Sequence, residues 1–299
     1  MIWKTAWKNV WRNKVRSLVV IASVTVGIFA GVFSVAFMNG MIAQRVDAAL
    51  DEEISHIQIT GRDYRLNNDP GIIINDPQNN IVPLIENLSG IEGFAERTIV
   101  TGMAATAVKS AGVQIKGIDP LKERKVLSLD KTIMPGTGSF FEKESKYDLA
   151  LIGQELAKEL GIIRFVIDSS VIGNLAEQRI PVPTLERLAP LTGIRFTNEK
   201  KFRSSIEKLL STREVKKFGA QIRKEAWSYR ENSRMTLTFI DKDNNQVGSV
   251  FRIAGIYDLE NSIYEQSMVF VEYEVLKKLT GFGDNSCHQV IIRLSDVEQ

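Results

Sequence analysis

The chain has 299 residues, 38 Lys/Arg against 36 Asp/Glu, and a formal net charge of +2, so bulk charge points to no particular partner. The single cysteine, Cys287, excludes a disulfide framework within a monomer. His56 and His288 lie far apart in sequence, and Cys287 beside His288 is not a zinc-ligand spacing, so neither a metal nor a cofactor is expected.

Trp3, Trp7 and Trp11 recur at i, i+4 and i+8, which places them on one face of a helix. Lys4, Lys8, Arg12, Lys14 and Arg16 surround them, with no acid among them. Indoles favour the headgroup region of a bilayer, and Lys/Arg favour its anionic cytoplasmic surface. The spacing therefore predicts an interfacial helix anchored in membrane lipid. Two roles stay open for it, a flat anchor alone or an anchor that also touches a cytoplasmic partner.

From Ser17 to Ala43 there is no charged residue. About 20 apolar residues cross a hydrocarbon layer of about 30 Å. This stretch meets that length, is apolar on every face, and is too long for the core of a cleaved signal peptide. Gly27 and Gly31 form a GxxxG spacing that lets a second helix approach. Basic residues precede the span, and Arg45, Asp47, Asp51, Glu52 and Glu53 follow it. The positive-inside rule then puts the N-terminus in the cytoplasm and everything after about Ala43 outside.

Residues 44 to about 53 continue the helix. Ile57 and Ile59 alternate with polar neighbours as a strand, and "YRLNNDPGIIINDPQNN" is rich in turn formers. "PLIENLSGI" reads as a short helix ended by Gly90, and the stretch from Glu96 to Asp119 as two or three strands. "MPGTGSFFEKESKYD" reads as a loop, followed by a helix at Gln154–Leu160 with Gly161 placed to cap it. From about Arg164 to Asn232 the pattern is helical: "DSSVIGNLAEQRI" capped by Asp168 or Ser169, "PTLERLAPLTG", "NEKKFRSSIEKLLS" and "TREVKKFGAQIRKEAWSYRE". Ten Lys/Arg between Arg195 and Lys224 face only Glu199, Glu207 and Glu214. They are a solvated surface or a patch for anionic headgroups or an acidic protein. Met235, Leu237 and Phe239 then alternate into a hairpin around "DKDNNQVG". That turn lacks the Gly and the closing Glu of a calcium loop, since Gln246 and Arg252 stand there.

No P-loop and no G-x-S-x-G occurs, and two histidines with one cysteine leave few nucleophile–base pairs, so no enzyme site is expected.

The opening "AWKNVWRNKVRSLVVIASVTVGIFAGVFSVAFMNGM" resembles the start of FtsX/MacB-type ABC transporter permeases, a family that includes the lipoprotein-releasing LolC/LolE proteins. "ISHIQITG", "GVQIKGIDP", "ALIGQELAKELGI", "FRIAGIYD" and "SMVFVEYEVLKKLTGF" resemble later stretches of the same family, in the same order. The junction after "LGI", where the family has a short turn and hairpin, is opened by the helical insertion. The resemblance implies an α+β class: one N-terminal transmembrane helix, then a two-lobed mixed α/β extracytoplasmic domain resembling the MacB periplasmic core, with a helical insertion. Its expected division is 1–17 cytoplasmic amphipathic helix, 18–43 transmembrane helix, 44–163 with 257–295 first lobe, 164–232 insertion, and 233–256 hairpin of the second lobe. It implies three further spans, which would follow about where "IIRLSDVEQ" stops, so the chain reads either as a fragment of such a permease or as a truncated gene product. It implies a non-catalytic subunit in the inner (plasma) membrane that couples ATP hydrolysis by a separate cytoplasmic ABC ATPase to work outside, with lipoprotein release the preferred subfamily. Trp3, Trp7, Trp11, Lys8, Arg12, Lys14 and Arg16 would then lie at the membrane and ATPase interface, and Gly27 and Gly31 at a helix–helix contact in a homo- or heterodimer with another permease. Lipoprotein is the expected cargo, and nucleic acid is not expected outside the cytoplasm. The competing expectation is a single-span anchored binding or sensor domain without transport.

Overall fold

The computed structural model describes residues 2–12, 14–67, 69–141, 145–230, 233–283 and 285–295. Met1, Asn13, Asn68, residues 142–144 of the expected loop, Glu231 and Asn232 at the end of the expected insertion, Asp284, and 296–299 lie outside them. The chain divides into two units, Met1–Leu50 and Asp51–Gln299.

The first unit is two helices. Ile2–Arg12 is the basic aromatic helix, and Lys14–Ala49 is the long apolar one, which buries no residue. By length and composition this helix is apolar enough to cross a membrane. Its two midspan serines turn inward: the Ser23 and Ser34 hydroxyls donate to the carbonyls of Val19 and Ala30, each at 2.8 Å, which satisfies them without water. The short helix is described to Arg12 and the long one begins at Lys14 rather than after Ser17, so Lys14 and Arg16 open the long helix instead of closing the short one.

The second unit is mixed α/β, as expected. Its strands are β1 (Ile57–Thr60), β2 (Ile74–Asn75), β3 (Ile91–Ala105), β4 (Ser110–Ile118), β5 (Leu149–Gly153), β6 (Ile163–Val166), β7 (Arg195–Phe196), β8 (Trp227–Tyr229), β9 (Arg234–Ile240), β10 (Gln246–Tyr257), β11 (Met268–Glu272), β12 (Ser286–Cys287) and β13 (Gln289–Leu294). Eight pair in the order β1-β13-β3-β4-β11-β5-β10-β9, and β9 pairs back onto β3. Six strands from β3 to β9 thus close into a ring, and β13 with β1 extends it along the lower half of β3. Closure falls at Gly102, opposite Phe239; a Cβ there would stand 2.3 Å from the Thr238 carbonyl oxygen, so only glycine lets the two strands meet. The main core takes side chains from all six ring strands, among them Val100, Ile115, Ile152, Phe239, Phe251 and Val269.

The hairpin β9–β10, expected as a lobe of its own, instead completes this ring. Its alternation was visible in sequence; its second partner, β3, lies more than a hundred residues away and was not. The second core belongs to the insertion. Helices Ser169–Glu177, Val182–Leu188, Glu199–Leu209 and Thr212–Ala226 pack around Phe165, Leu175, Leu188, Phe202, Ile206 and Ile222. The insertion is not wholly helical: β6 pairs with β7 and β8 in a small antiparallel sheet. The expected last helix stops at Ala226, because Trp227 and Tyr229 pair with Phe165 and Ile163. Strands of two to four residues are too short for a period of two to show.

Candidate functional site

The sequence points to the basic helix, and there the structure separates two stripes. Trp3, Trp7 and Trp11 are 83, 61 and 56 % exposed, and the rings of Trp7 and Trp11 lie 6.2 Å apart. Lys4, Lys8 and Arg12 each follow a Trp by one residue, about 100° further round the helix, and are exposed too. Lys14 sits 5.8 Å from the Trp11 ring centroid. Arg16 is exposed on the first turn of the long helix. The two stripes form an aromatic face bordered by a cationic one, the arrangement an interface between hydrocarbon and anionic headgroups selects.

Gly27 and Gly31 share one face of the long helix, and a Cβ on either would meet nothing within 4 Å. The opposite side of the helix is aromatic. Phe29, Phe33 and Phe37 stack at 6.2 and 6.1 Å. Phe29 is two residues, about 200°, round from Gly27, so bulk and smallness occupy opposite faces.

A second arrangement, unforeseen in sequence, lies where the second unit begins and where its last strand finishes. Asp51 accepts from Arg293 Nη2 at 2.7 Å through its carboxylate and from the Ser128 amide at 2.8 Å through its carbonyl. Ser55 donates its hydroxyl to the Ile292 carbonyl at 2.9 Å, and His56 Nδ1 accepts from the Leu294 amide at 3.0 Å. From Ile57 onward β1 runs antiparallel to β13. The two ends of the domain are therefore fastened to each other residue by residue.

Behind this fastening is a buried polar cluster. Glu53 is 6 % exposed; its carboxylate accepts from Asn261 Nδ2 at 2.9 Å, and its carbonyl from the Tyr264 hydroxyl at 3.2 Å. Tyr264 in turn accepts from Lys116 Nζ at 3.3 Å, and the ammonium lies 5.0 Å from the Tyr264 ring centroid. Arg97 and Glu123, both fully buried, form an ion pair, while Arg97 Nη1 has no partner among the described residues. Burial, together with repulsion from Arg97, lowers the Lys116 ammonium to about 7, with Glu123 and Glu53 opposing. Burial also raises the Tyr264 phenol, so it stays a neutral bridge. Arg97, Lys116 and Glu123 sit in β3, β4 and the helix after β4, where alternation read as ordinary strand; only a charged residue at a core-facing position could have signalled the cluster.

The remaining chemical candidates are structural. His288 is buried with Nδ1 accepting from the Ile99 amide at 3.3 Å and Nε2 donating to the Pro70 carbonyl at 2.8 Å; burial lowers its pKa. Burial raises the Cys287 thiol to about 12. In the hairpin turn, the Asp241 carboxylate accepts the amides of Asp243 and Asn245 at 2.9 and 2.7 Å, an internal role for the residue that heads the calcium-like run.

The chain matches none of the known protein-family models and none of the curated proteins. Among solved structures it is similar to the extracellular domain of the noncanonic ABC-type transporter YknZ from Gram-positive bacteria, at 11% identity and a TM-score of 0.38, over 81% of this chain and 84% of that one. It is also similar to the periplasmic region of MacB from Actinobacillus actinomycetemcomitans, at 11% identity and a TM-score of 0.34, over 80% of this chain and 74% of that one. Likeness at this level transfers neither activity nor partner.

Proposed function

We propose that this chain is a non-catalytic permease subunit of an ABC transporter, seated in the inner (plasma) membrane with its N-terminus in the cytoplasm and residues after about Ala43 outside. The long apolar helix would cross the bilayer, and the Trp/basic helix would lie on lipid at the contact with a separate cytoplasmic ATPase. Gly27 and Gly31 would receive a helix from a second permease copy or homologue. Lipoprotein release is the work we assign to the outer domain, on the resemblance of the sequence stretches to that subfamily.

The observation that carries this reading is the mutual fastening of the domain's two ends through Asp51–Arg293, Ser55–Ile292 and His56–Leu294. Chain ends that lie close together are common in folded domains; here the fastening supplies a hydrogen-bonded route by which motion received at the base would enter the sheet. Displacement at Asp51 or Glu53 would reach β13 and β3 through hydrogen bonds, and β4 through Tyr264 and Lys116.

The test is gentle solubilisation of the full-length chain from its own membranes, with mass spectrometry of what co-purifies. Recovery of a P-loop ATPase whose hydrolysis responds to the chain, weakened by the Trp3, Trp7 and Trp11 to Ala triple variant, is the expected result. Repeated absence of any ATPase would leave the single-span anchored domain as the better reading.

A further inference from the structure

The basic character of the insertion, open to two interpretations in sequence, continues into a groove that neither the permease reading nor the base of the domain uses. The groove encloses about 1,020 Å³ between the end of the β3–β4 hairpin, the start of helix Glu199–Leu209 and the strands β9 and β10. It lies where the chain enters the insertion after Ile162 and leaves it at Arg230, and those two connections are themselves joined, the Arg230 amide donating to the Ile162 carbonyl at 3.3 Å.

Its lining is cationic over an apolar floor. Lys109, Arg230 and Arg234 contribute charge; Val108, Met235 and Val250 contribute carbon surface. Arg230 donates to the Ser233 hydroxyl at 2.9 Å, and Arg234 lies 5.1 Å from the Tyr147 ring centroid, so both are held in place by groups that do not neutralise them. Among the described residues no carboxylate pairs with any of the three. The fourth cation, Lys158, is paired with Glu155 at 2.7 Å. The acid on the rim, Glu199, is already committed to Arg223 at 2.8 Å. Glu199 also lines a smaller cleft of about 250 Å³ between the two longest helices of the insertion, where Lys216 is a further cation.

We propose that this groove docks an extended acidic segment of a partner protein. Unneutralised cations placed along a concave surface select an anionic occupant. The volume is at the upper limit of small-molecule sites, which run to about 1,000 Å³, and the cations are spread along the groove rather than gathered at one point, which suits a chain rather than a compact ligand. A bilayer surface is the poorer fit, because headgroups present a broad face that cannot descend between two lobes. This proposal stands apart from the ATPase reading and survives its failure.

The probe is a fluorescein-labelled twelve-residue peptide alternating Glu with Leu and Ala, titrated against the full chain in non-ionic detergent and read by anisotropy. The variant Lys109→Gln/Arg230→Gln/Arg234→Gln should weaken binding about tenfold or more and flatten its salt dependence. A control that removes the same charge elsewhere, Arg62→Gln/Arg65→Gln/Lys131→Gln, should change it less than about twofold. Since Arg230 also bridges to Ser233, the double variant Lys109→Gln/Arg234→Gln, both exposed, must show the same trend. Equal loss in groove and control variants overturns the proposal in favour of non-specific attraction. Groove-dependent binding of short-chain phosphatidylglycerol, with no binding of the peptide, overturns it in favour of lipid.

Discussion

The base of the outer domain and its helical insertion use the same ionisable residues in opposite ways. At the base Arg97, Glu123, Glu53 and Lys116 are taken out of water, and each depends on a specific neighbour. In the insertion, the ion pairs Arg203–Glu207 and Arg223–Glu199 stay on exposed side chains over a cluster of buried apolar residues. A buried charge couples elements rigidly, because separating it from its partner leaves a large uncompensated penalty; an exposed ion pair couples its elements only weakly and leaves its charges within reach of an outside molecule. The proposed function would use the base to pass motion into the sheet, and the proposed docking would use exposed charge at the junction of ring and insertion.

The sharpest way to break that contrast is to remove one acid from each region. Glu123→Ala leaves Arg97 buried and alone and should cost about 4 kcal/mol in urea unfolding of the full chain in detergent. Glu207→Ala, at an exposed i, i+4 pair, should cost less than about 0.5 kcal/mol. The double variant Arg97→Met/Glu123→Leu should recover most of the first loss, since what is expensive is the orphaned charge. Equal costs for Glu123→Ala and Glu207→Ala would mean that the base is hydrated and the contrast is false.

The insertion's independence is tested next. Phe202 is 1 % exposed, with ring centroids 4.9 Å from Phe165 and 5.4 Å from Phe196. Phe202→Ala should cost about 3 kcal/mol. Because the insertion has its own core, hydrogen exchange should quicken in residues 163–229 and leave β3, β4 and β13 protected. Loss of protection in both regions would mean that Ile163 and Trp227, which touch both cores, weld them into one cooperative body.

What was legible in the sequence follows the same division. Periodicity and caps located the insertion's helices to within a few residues, and Asp168 caps the first of them through the Val171 amide at 2.9 Å. Those signals are local. The ring is not: β3 meets β9 and β13 across more than a hundred residues, and no short window contains both partners. Gly102 carried the one local trace of closure, a glycine within an apolar strand. The buried cluster was illegible for a related reason. Arg97, Lys116 and Glu123 each look like a solvent-facing residue until the fold brings Glu53 and Tyr264 to them from opposite ends of the domain.

Lys116 sharpens the comparison through pH. Its pKa is lowered from 10.5 to about 7 in the fold. Between those values the unfolded chain binds more protons, so stability should rise with pH above about 7 and fall as pH drops back towards it, by at most about 1.4 kcal/mol per pH unit. Lys116→Met should flatten unfolding free energies measured between pH 7 and 9. An unchanged slope would place the ammonium in water.

The smallest effect lies in the insertion and has the same sign: there too stability rises with pH, in a more acidic window. Ser211 opens helix Thr212–Ala226 with a capping box: its amide donates to Glu214 Oε2 at 2.9 Å, and its hydroxyl accepts from the Glu214 amide at 3.4 Å. The Glu214 carboxylate also accepts from Thr184 at 2.8 Å and from Arg187 at 2.7 Å, so one acid ties the helix start to helix Val182–Leu188. The hydrogen bond from the Ser211 side chain, then that from its backbone, lowers the Glu214 carboxyl from 4.5 to about 2. A lowered acid stabilises above its unfolded pKa and loses that contribution as pH falls through its folded one. Hydrogen exchange at residues 212–216 should therefore quicken between pH 4.5 and 2 relative to Glu214→Gln, once both are corrected for the intrinsic rate. Ser211→Ala should cost about 1 kcal/mol at neutral pH. If the acid dependence persists unchanged in Glu214→Gln, it comes from other carboxylates, and the insertion's helices are joined by their apolar core alone.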